Sequence, residues 1–396
     1  MDEKRWHGIG RTVLVLGIAS LLTDVSSEAI YPLIPLFLVN VLHTSVVYVG
    51  LIEGIAESTA SVLKVFSGWL SDAVGGRKWI TVAGYTLSTL SKPLLSISNS
   101  WGQVLAIRFA DRAGKGIRSA PRDALIADVT PPEYRGVSYG FHGAMDTTGA
   151  VAGPLLAFWM LRSLHVSFRH IFMLSAVPAI LAVLVLAVFV RERYTGNRLS
   201  GALPSLKLSS FDTKFRKFLL VAVLFSLGNS SDVFLILRAQ NIGISVSKIL
   251  LVYVLYNVVF AGLDTAAGAV SDKLGRKGVL LCGFAVYALV YAGFGLATRP
   301  IEIWFLFGFY GLYAAMTDGV MRAFAADLVG AEVRGTGLGT YQSLTGVALL
   351  PASLIAGLLW RVINPAATFF FGAILAASAA ALLAIFFRPN PTYSDR

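Results

Sequence analysis

Long apolar stretches recur along this chain at about the 20-residue length that a helix needs to cross a hydrocarbon core ~30 Å thick. Inside lipid no water is available to a backbone N–H or C=O, so a crossing segment must be a helix or a strand of a closed barrel. Barrel strands read as alternating segments of about ten residues, whereas the apolar stretches here are continuous. The expected fold class is therefore an all-α membrane protein. Composition excludes the soluble alternative: 56% of residues are hydrophobic and only 14% charged, against about 25% charged in soluble domains.

Candidate spans fall at 12–38, 46–70, 79–98, 102–126, 137–161, 168–190, 216–237, 246–270, 278–297, 301–326, 336–360 and 366–387. The fourth is strongly polar, carrying Arg108, Asp111, Arg112, Lys115, Arg118, Arg122 and Asp123. An internal repeat retains it. Gly68-Trp-Leu-Ser-Asp72 recurs 200 positions later as Gly268-Ala-Val-Ser-Asp272. Ala127-Asp128 with Arg135-Gly136 recurs 199 positions later as Ala326-Asp327 with Arg334-Gly335. The fourth span thereby corresponds to the tenth, which reads as plainly apolar, and omitting it would put the two copies of the first motif on opposite sides of the membrane. Twelve transmembrane helices in two six-helix bundles are expected: residues 1–190, a linker at 191–215, and residues 216–396.

A net charge of +11 does not point to nucleic acid, because the basic residues sit in short loops and not on one soluble face. Lys4, Arg5, Arg11, Arg77, Lys78, Arg118, Arg122 and Arg135 share one side with the basic linker and with Lys273, Arg276, Lys277 and Arg334. The other side holds only Arg162, Arg169, Arg238, Lys248, Arg299 and Arg361. The richer side should be cytoplasmic, with both termini inside a cell (inner) membrane. The N-terminal residues lead into the first span without a small-residue cleavage site, so that span is expected to be retained. A single cysteine, Cys282, excludes an intramolecular disulfide. The expected partners are the lipid bilayer and a small-molecule substrate, with the chain a monomer.

The loops after the second and eighth spans share the pattern Gly-x-x-x-Asp-x-x-Gly-x-Arg/Lys. Glycine at a helix end admits a neighbouring helix, and an aspartate can sit at the positive N-terminus of another. With the span count and the repeat, these loops resemble the major facilitator superfamily, whose signature loop joins spans 2 and 3 and recurs between spans 8 and 9. The copy at Gly268, Asp272, Gly275, Arg276 and Lys277 matches in full. The copy at Gly68, Asp72, Gly75 and Arg77 has Ala73 where a basic residue is usual and Gly76 where an arginine is usual. The resemblance implies two halves rocking about a mid-membrane cavity lined mainly by spans 1, 4, 7 and 10. It also implies that Asp72 and Asp272 gate the cytoplasmic side, locking the halves in the outward-facing state, and do not bind substrate.

In the fourth span, Arg108, Arg112, Lys115, Arg118 and Arg122 follow spacings of 4, 3, 3 and 4 and so share one helical face. A charge in mid-membrane costs roughly 3 kcal/mol or more unless it faces a cavity or a partner. Arg118 and Arg122 are expected to anchor at the cytoplasmic interface, and Asp111, Arg112 and Lys115 to reach a cavity or gate. Arg112-Ala-Gly-Lys115-Gly116 resembles the family's span-4 motif, with Lys115 where a glutamine is common, which implies a part for Arg112 in proton transfer. Asp24 and Glu28, Glu53 and Glu57, and His142 and Asp146 are i, i+4 pairs. Six deep acids (Asp24, Glu28, Glu53, Glu57, Asp111, Asp146) stand against five bases (Lys64, Lys92, Arg108, Arg112, Lys115). Such near balance fits either a structural salt-bridge network or a site that binds a charged or zwitterionic solute while one acid takes up protons. One histidine among scattered acids is a weak metal signal.

The C-terminal half is quieter. Its deep polar groups are Asn229, Asp232, Asn257, Asp264, Asp318, Arg322 and Gln342, with Asp318 and Arg322 placed to pair within one helix. Tyr256, Phe309, Tyr310, Tyr313 and Tyr341 read as bundle packing. The expected cavity set is Asp24, Glu28, Glu53, Glu57, Arg108, Asp111, Arg112, Lys115, Asp146, Asn229 and Asp232. The gating set is Gly68, Asp72, Arg77, Gly268, Asp272, Arg276 and Lys277. Gly149-Ala-Val-Ala-Gly153-Pro154 resembles the Gly-x-x-x-Gly-Pro motif of the family's exporters, although Leu156, Ala157 and Phe158 stand where further glycines belong. No nucleotide-binding motif follows a strand, so a proton gradient, without cofactor or metal, is the expected energy source. The reading is a non-enzymatic secondary transporter of a small polar or charged solute, proton-coupled, with export slightly favoured. The alternatives are uptake of an organic anion drawn in by Arg108, Arg112 and Lys115, and a non-transporting membrane enzyme or sensor.

Overall fold

The spans form as helices because lipid leaves the backbone no other partner, and in several of them proline or a short polar run sets a break. The computed structural model describes residues 9–74, 76–190, 211–330 and 333–387. Its α-helices are α1 (Arg11–Ile30), α2 (Leu33–Asn40), α3 (Val46–Val74), α4 (Lys78–Leu94), α5 (Trp101–Val129), α6 (Arg135–Arg162), α7 (Phe168–Leu174) and α8 (Ala176–Phe189) in the first half. The second half holds α9 (Thr213–Gly228), α10 (Val233–Asn241), α11 (Val246–Leu274), α12 (Arg276–Leu296), α13 (Pro300–Asp327), α14 (Arg334–Val362) and α15 (Pro365–Phe386).

Three pairs, α1–α2, α7–α8 and α9–α10, are single spans with a break, which yields the expected six plus six. Pro32 and Pro178, lacking an N–H, sit at two of the breaks. The third is the run 228–231, whose asparagine and serines compete for backbone hydrogen bonds. Among the described residues, eight spans are long and apolar enough by composition to cross a membrane. The tenth span, α13, is not among them, which corrects the expectation of a plainly apolar tenth span: Glu302, Asp318, Arg322 and Asp327 interrupt it. The linker expectation, 191–215, falls largely outside the described residues. Its last residues belong to the helix instead, because the Asp212 carboxylate accepts the Lys214 N–H at 2.8 Å and caps α9 early.

The same contact map is used twice. In the first half α1 packs on α6 and α8, α3 on α5, and α4 on α5 and α8. In the second, α9 packs on α14 and α15, α11 on α13, and α12 on α13 and α15. The halves meet through α3 against α14 and α6 against α11.

Between helices in lipid there is no hydrophobic drive, so close backbone approach through small residues does the holding. A Cβ on Gly149 would lie 2.8 Å from Asp24 Cβ and from the Leu21 carbonyl of α1, and one on Gly153 would lie 2.7 Å from the Val25 carbonyl. The Gly-x-x-x-Gly-Pro segment is therefore a packing face against α1. Across the halves, a Cβ on Gly50 would strike the Ser353 carbonyl, and one on Gly346 the Ser61 side chain. Gly54 meets Leu350, Gly357 meets Val47, and Ser58 donates to the Gly346 carbonyl at 2.9 Å. These contacts run from the end away from the repeated motif loops to about the middle of the bundle. Toward those loops, Gly140 and Gly143 of α6 and Gly262 and Gly268 of α11 have no atom within 4 Å of where a Cβ would stand. The bundle is closed at one end and parted at the other.

Overpacking a filled site costs about 1–3 kcal/mol. Gly153→Val should therefore lower the melting temperature of purified protein by several degrees, while Gly143→Val, where space is open, should not. Equal melting temperatures would refute the packing assignment.

Candidate functional site

Helices α3 and α5 run in the same direction, so residues four apart on one can match residues four apart on the other. Glu53 and Glu57 meet Arg108 and Arg112 in that way. The Arg108 Nε–H donates to Glu53 Oε1 at 2.9 Å and its Nη2 to Oε2 at 2.7 Å, a two-bond fork. Both side chains are sealed, at 3% and 1% exposed. Arg108 Nη1 also donates to Asp111 Oδ2 at 3.3 Å, and Asp111 accepts from the Ser88 hydroxyl. One turn on, Arg112 Nε lies 3.2 Å from Glu57 Oε1. This second pair is ionic contact only, since the Arg112 Nε–H has no hydrogen bond of good geometry. It is also looser, with Glu57 30% exposed. The Tyr31 ring lies 5.7 Å from both guanidinium carbons.

Further along the same face, Lys115 is exposed and Asp24 half-buried. His142 Nδ1 stands 3.5 Å from Asp146 Oδ2, while His142 Nε2 and Asp146 Oδ1 are buried without a partner. Arg118 departs from the expected interfacial anchor. It is 4% exposed and lies 4.2 Å over the Tyr85 ring, because this face of α5 turns toward α4. Arg122 is also drawn inward, donating to Ser20 Oγ at 3.2 Å and to Asp123 Oδ1 at 3.0 Å. Lys92, wholly buried, donates to Ser26 Oγ at 3.0 Å.

The second half faces this charged wall with tyrosine. Tyr310 donates to Asp232 Oδ1 at 2.6 Å, and Asn229 Nδ2 donates to the Tyr313 hydroxyl at 3.0 Å. Tyr253 reaches across the halves to Glu28 Oε2 at 3.1 Å. A chain of rings links them: Tyr31 to Tyr253 at 5.9 Å, Tyr253 to Tyr256 at 5.7 Å, and Tyr256 to Tyr310 at 5.3 Å between centroids. Tyrosines expected only to pack the bundle thus also present hydroxyls to Asp232 and Asn229. Tyr31 and Tyr253 were not among the expected site residues, although Tyr253 and Tyr256, like Tyr310 and Tyr313, are spaced i, i+3 on one helical face. The site draws on α3 and α11, the second and eighth spans, as well as the first, fourth, seventh and tenth. Asp318 and Arg322 pair at 2.5 Å within α13, as their spacing requires.

At the parted end, each motif aspartate bonds inside its own half. Arg77 bridges Asp72 at 2.9 Å and Asp128 at 2.8 Å. Arg276 bridges Asp272 at 2.5 Å and Asp327 at 3.2 Å. The next residue in each copy is a lysine that caps the last helix of its half: Lys78 donates to the Ala187 carbonyl at 2.8 Å, Lys277 to the Phe387 carbonyl at 2.7 Å. Gly275 has φ +91°, a conformation other residues rarely adopt, which allows the turn from α11 to α12. The two motif glycines are not equivalent. A Cβ on Gly68 would lie 3.3 Å from Ala120 Cβ, as expected of a close approach, but Gly268 has no such neighbour because α11 stands apart there.

Two six-helix halves in repeat, parted at one end around a charged and aromatic mid-bundle, define a polytopic membrane protein of the transporter type. Comparison with known proteins agrees. A model of the Major Facilitator Superfamily matches residues 16–237 and again 218–396. An uncharacterized MFS-type transporter of Methanocaldococcus jannaschii is 36% identical over 383 residues, covering 95% of this chain and 94% of that one. A cis,cis-muconate transport protein of Acinetobacter baylyi is 24% identical over 333 residues, 79% of each chain. The crystal structure of the nucleoside transporter NupG, as its D323A mutant, superposes with a TM-score of 0.80 at 12% identity, over 95% of this chain and 100% of that one. The chain belongs to the major facilitator superfamily.

Removing one partner of a sealed ion pair costs about 3–5 kcal/mol, whereas at the second rung Glu57 is 30% exposed, so water reaches that pair and screens part of the loss. Glu53→Gln should therefore lower thermal stability far more than Glu57→Gln. A melting series in which the two variants match would overturn the ranking of the two rungs.

Proposed function

We propose that this chain is a proton-coupled secondary transporter of a small polar or charged solute that works by alternating access, with export the favoured direction. The observation that carries this reading is the separation of charge from interface. The ion pairs Glu53–Arg108, Glu57–Arg112, Arg77–Asp128 and Arg276–Asp327 each lie within one half. The halves approach closely at Gly50, Gly54, Gly346 and Gly357. Two bodies built in that way can rock about a midplane site. The basic loops put the parted end in the cytoplasm, so the conformation described is inward-open, in a cell (inner) membrane with both termini inside. Residues 191–215 serve as the linker between bundles 1–190 and 216–396. The protein acts as a carrier and not as an enzyme.

Asp24, Asp146 and His142 are the groups we assign to coupling, with Arg118 and Lys115 the cations beside Asp24 and Arg122 the one beside His142. They are ionisable, face the parted end, and include buried atoms left without partners. A carboxylate in that setting can bind a proton from one side and release it to the other. Release of the motif aspartates into pairs within their own halves supports a gating part for Asp72 and Asp272, which must change partner when the parted end closes.

Uptake of an organic anion is the second reading, and similarity to a muconate transport protein favours it. Against it weighs the neutralisation of Arg108 and Arg112 by Glu53 and Glu57.

The test is proton flux in proteoliposomes. A screen of charged metabolites by thermal shift supplies the solute, and a trapped pH dye then reports its coupling. A pH gradient should drive accumulation of the solute. Asp24→Asn and Asp146→Asn should abolish gradient-driven movement but spare solute exchange at equal pH. Gradient-driven flux that persists in both variants would remove the coupling assignment, and the absence of any solute flux would remove the transport reading.

A further inference from the structure

We infer that the protein takes an organic ammonium ion with an aromatic or otherwise apolar body, held between Glu28 of α1 and Asp232 at the start of α10. The inference deepens the transport reading and rests on it for the consequence, though not for the binding.

Sorting the midplane acids by ion pair leaves Asp24, Glu28 and Asp232 without one among the described residues. Arg108 is matched by Glu53 and Asp111, and Arg112 by Glu57. Glu28 and Asp232, by contrast, have only tyrosine hydroxyls for hydrogen-bond partners among the described residues, from Tyr253 at 3.1 Å and Tyr310 at 2.6 Å. The charges that act most strongly on Asp232 are Glu57, Glu28 and Glu53, all acidic. A carboxylate drawn out of water among other carboxylates is costly unless a cation arrives to pair with it.

The walls say what kind of cation. Tyr31, Tyr253, Tyr256 and Tyr310 form a ring chain running from the Glu28 side to Asp232, with centroids 5.3 to 5.9 Å apart. Tyrosine faces attract ammonium groups and their edges pack apolar bodies. An anion set between Glu28 and Asp232 would meet two carboxylates, whereas the exposed Lys115 stands apart on α5. Glu28 belongs to one half and Asp232 to the other, so a cation between them ties the two bundles together. Binding is thereby linked to closure.

The test uses purified full-length protein in detergent, where no gradient exists, with phenethylammonium and phenylacetate as probes matched in shape and opposite in charge. Phenethylammonium should raise the melting temperature in a saturable way, and phenylacetate should not. Asp232→Asn and Glu28→Gln should each weaken phenethylammonium binding by about tenfold or more, the loss expected for one charge-assisted contact. Tyr256→Leu should weaken it as well, while Tyr256→Phe, which keeps the ring, should bind as the parent does. That last pair decides the matter if an acidic variant fails to fold. Stabilisation by phenylacetate equal to or above that by phenethylammonium, no stabilisation by phenethylammonium, or unchanged affinity in all the weakening variants overturns the inference. Phenethylammonium binding without pH-driven flux would instead defeat the transport reading and leave the site assignment standing. Gradient-driven flux of phenylacetate without phenethylammonium binding would do the reverse.

Discussion

The fork between Arg108 and Glu53 is the contact on which the rest of this bundle depends. A guanidinium at this depth is tolerated in lipid only if its charge and its donors are answered inside the protein. Glu53 answers two of the donors and Asp111 a third. To bring them together, α3 and α5 must lie close and in register, and Gly116 against the Ala60 carbonyl permits that approach. Once one rung is set, the next follows from helical geometry, since Glu57 and Arg112 sit one turn further along both helices. The ladder makes α3 and α5 a rigid unit, and the polar fourth span becomes an asset of the fold.

The two halves solve the same packing problem with different chemistry. Helix contacts repeat pair by pair, from α3–α5 to α11–α13 and from α4–α5 to α12–α13. In the first half the midplane is filled by ions, and in the second by rings such as Phe225 on Phe284 at 4.2 Å and Tyr287 on Tyr291 at 4.0 Å. A duplicated backbone plan thus places a charged wall opposite an aromatic one. This asymmetry creates a site with an electrostatic sense, which two identical halves would not supply.

Much of this was legible before any coordinates, because the signals were local or periodic. Lipid-length blocks gave the spans, and the 199- and 200-residue offsets gave the two halves. An i, i+4 spacing predicted Asp318 with Arg322. Partnerships between distant segments were not legible. Glu53 and Glu57 share a helix face by spacing alone, but nothing local assigns Arg108 to one and Arg112 to the other. Asp128 and Asp327 stood out only as markers of the repeat, and their bonds to Arg77 and Arg276 depend on how α5 and α13 end beside the motif loops. Arg118 misled for the same reason: its depth along the span was readable, the direction of its helix face was not.

Alternation between two conformations needs two packings of nearly equal free energy, and the distribution of contacts provides for that. Had Arg108 or Arg112 been paired across the halves, opening the closed end would strand a charge in lipid at a cost of several kcal/mol. Instead those pairs travel with their own bundle. What must separate includes glycine against backbone at Gly50, Gly54 and Gly357, Gly346 against the Ser61 side chain, and the Ser58 hydroxyl bond to Gly346. Such contacts are individually small and are lost without leaving an ion unpaired. The Tyr253 to Glu28 bond crosses the midplane where a solute would bind, so a ligand that competes for Glu28 acts directly on the joint between the halves. A modest difference in its affinity for the two packings is then enough to shift their populations.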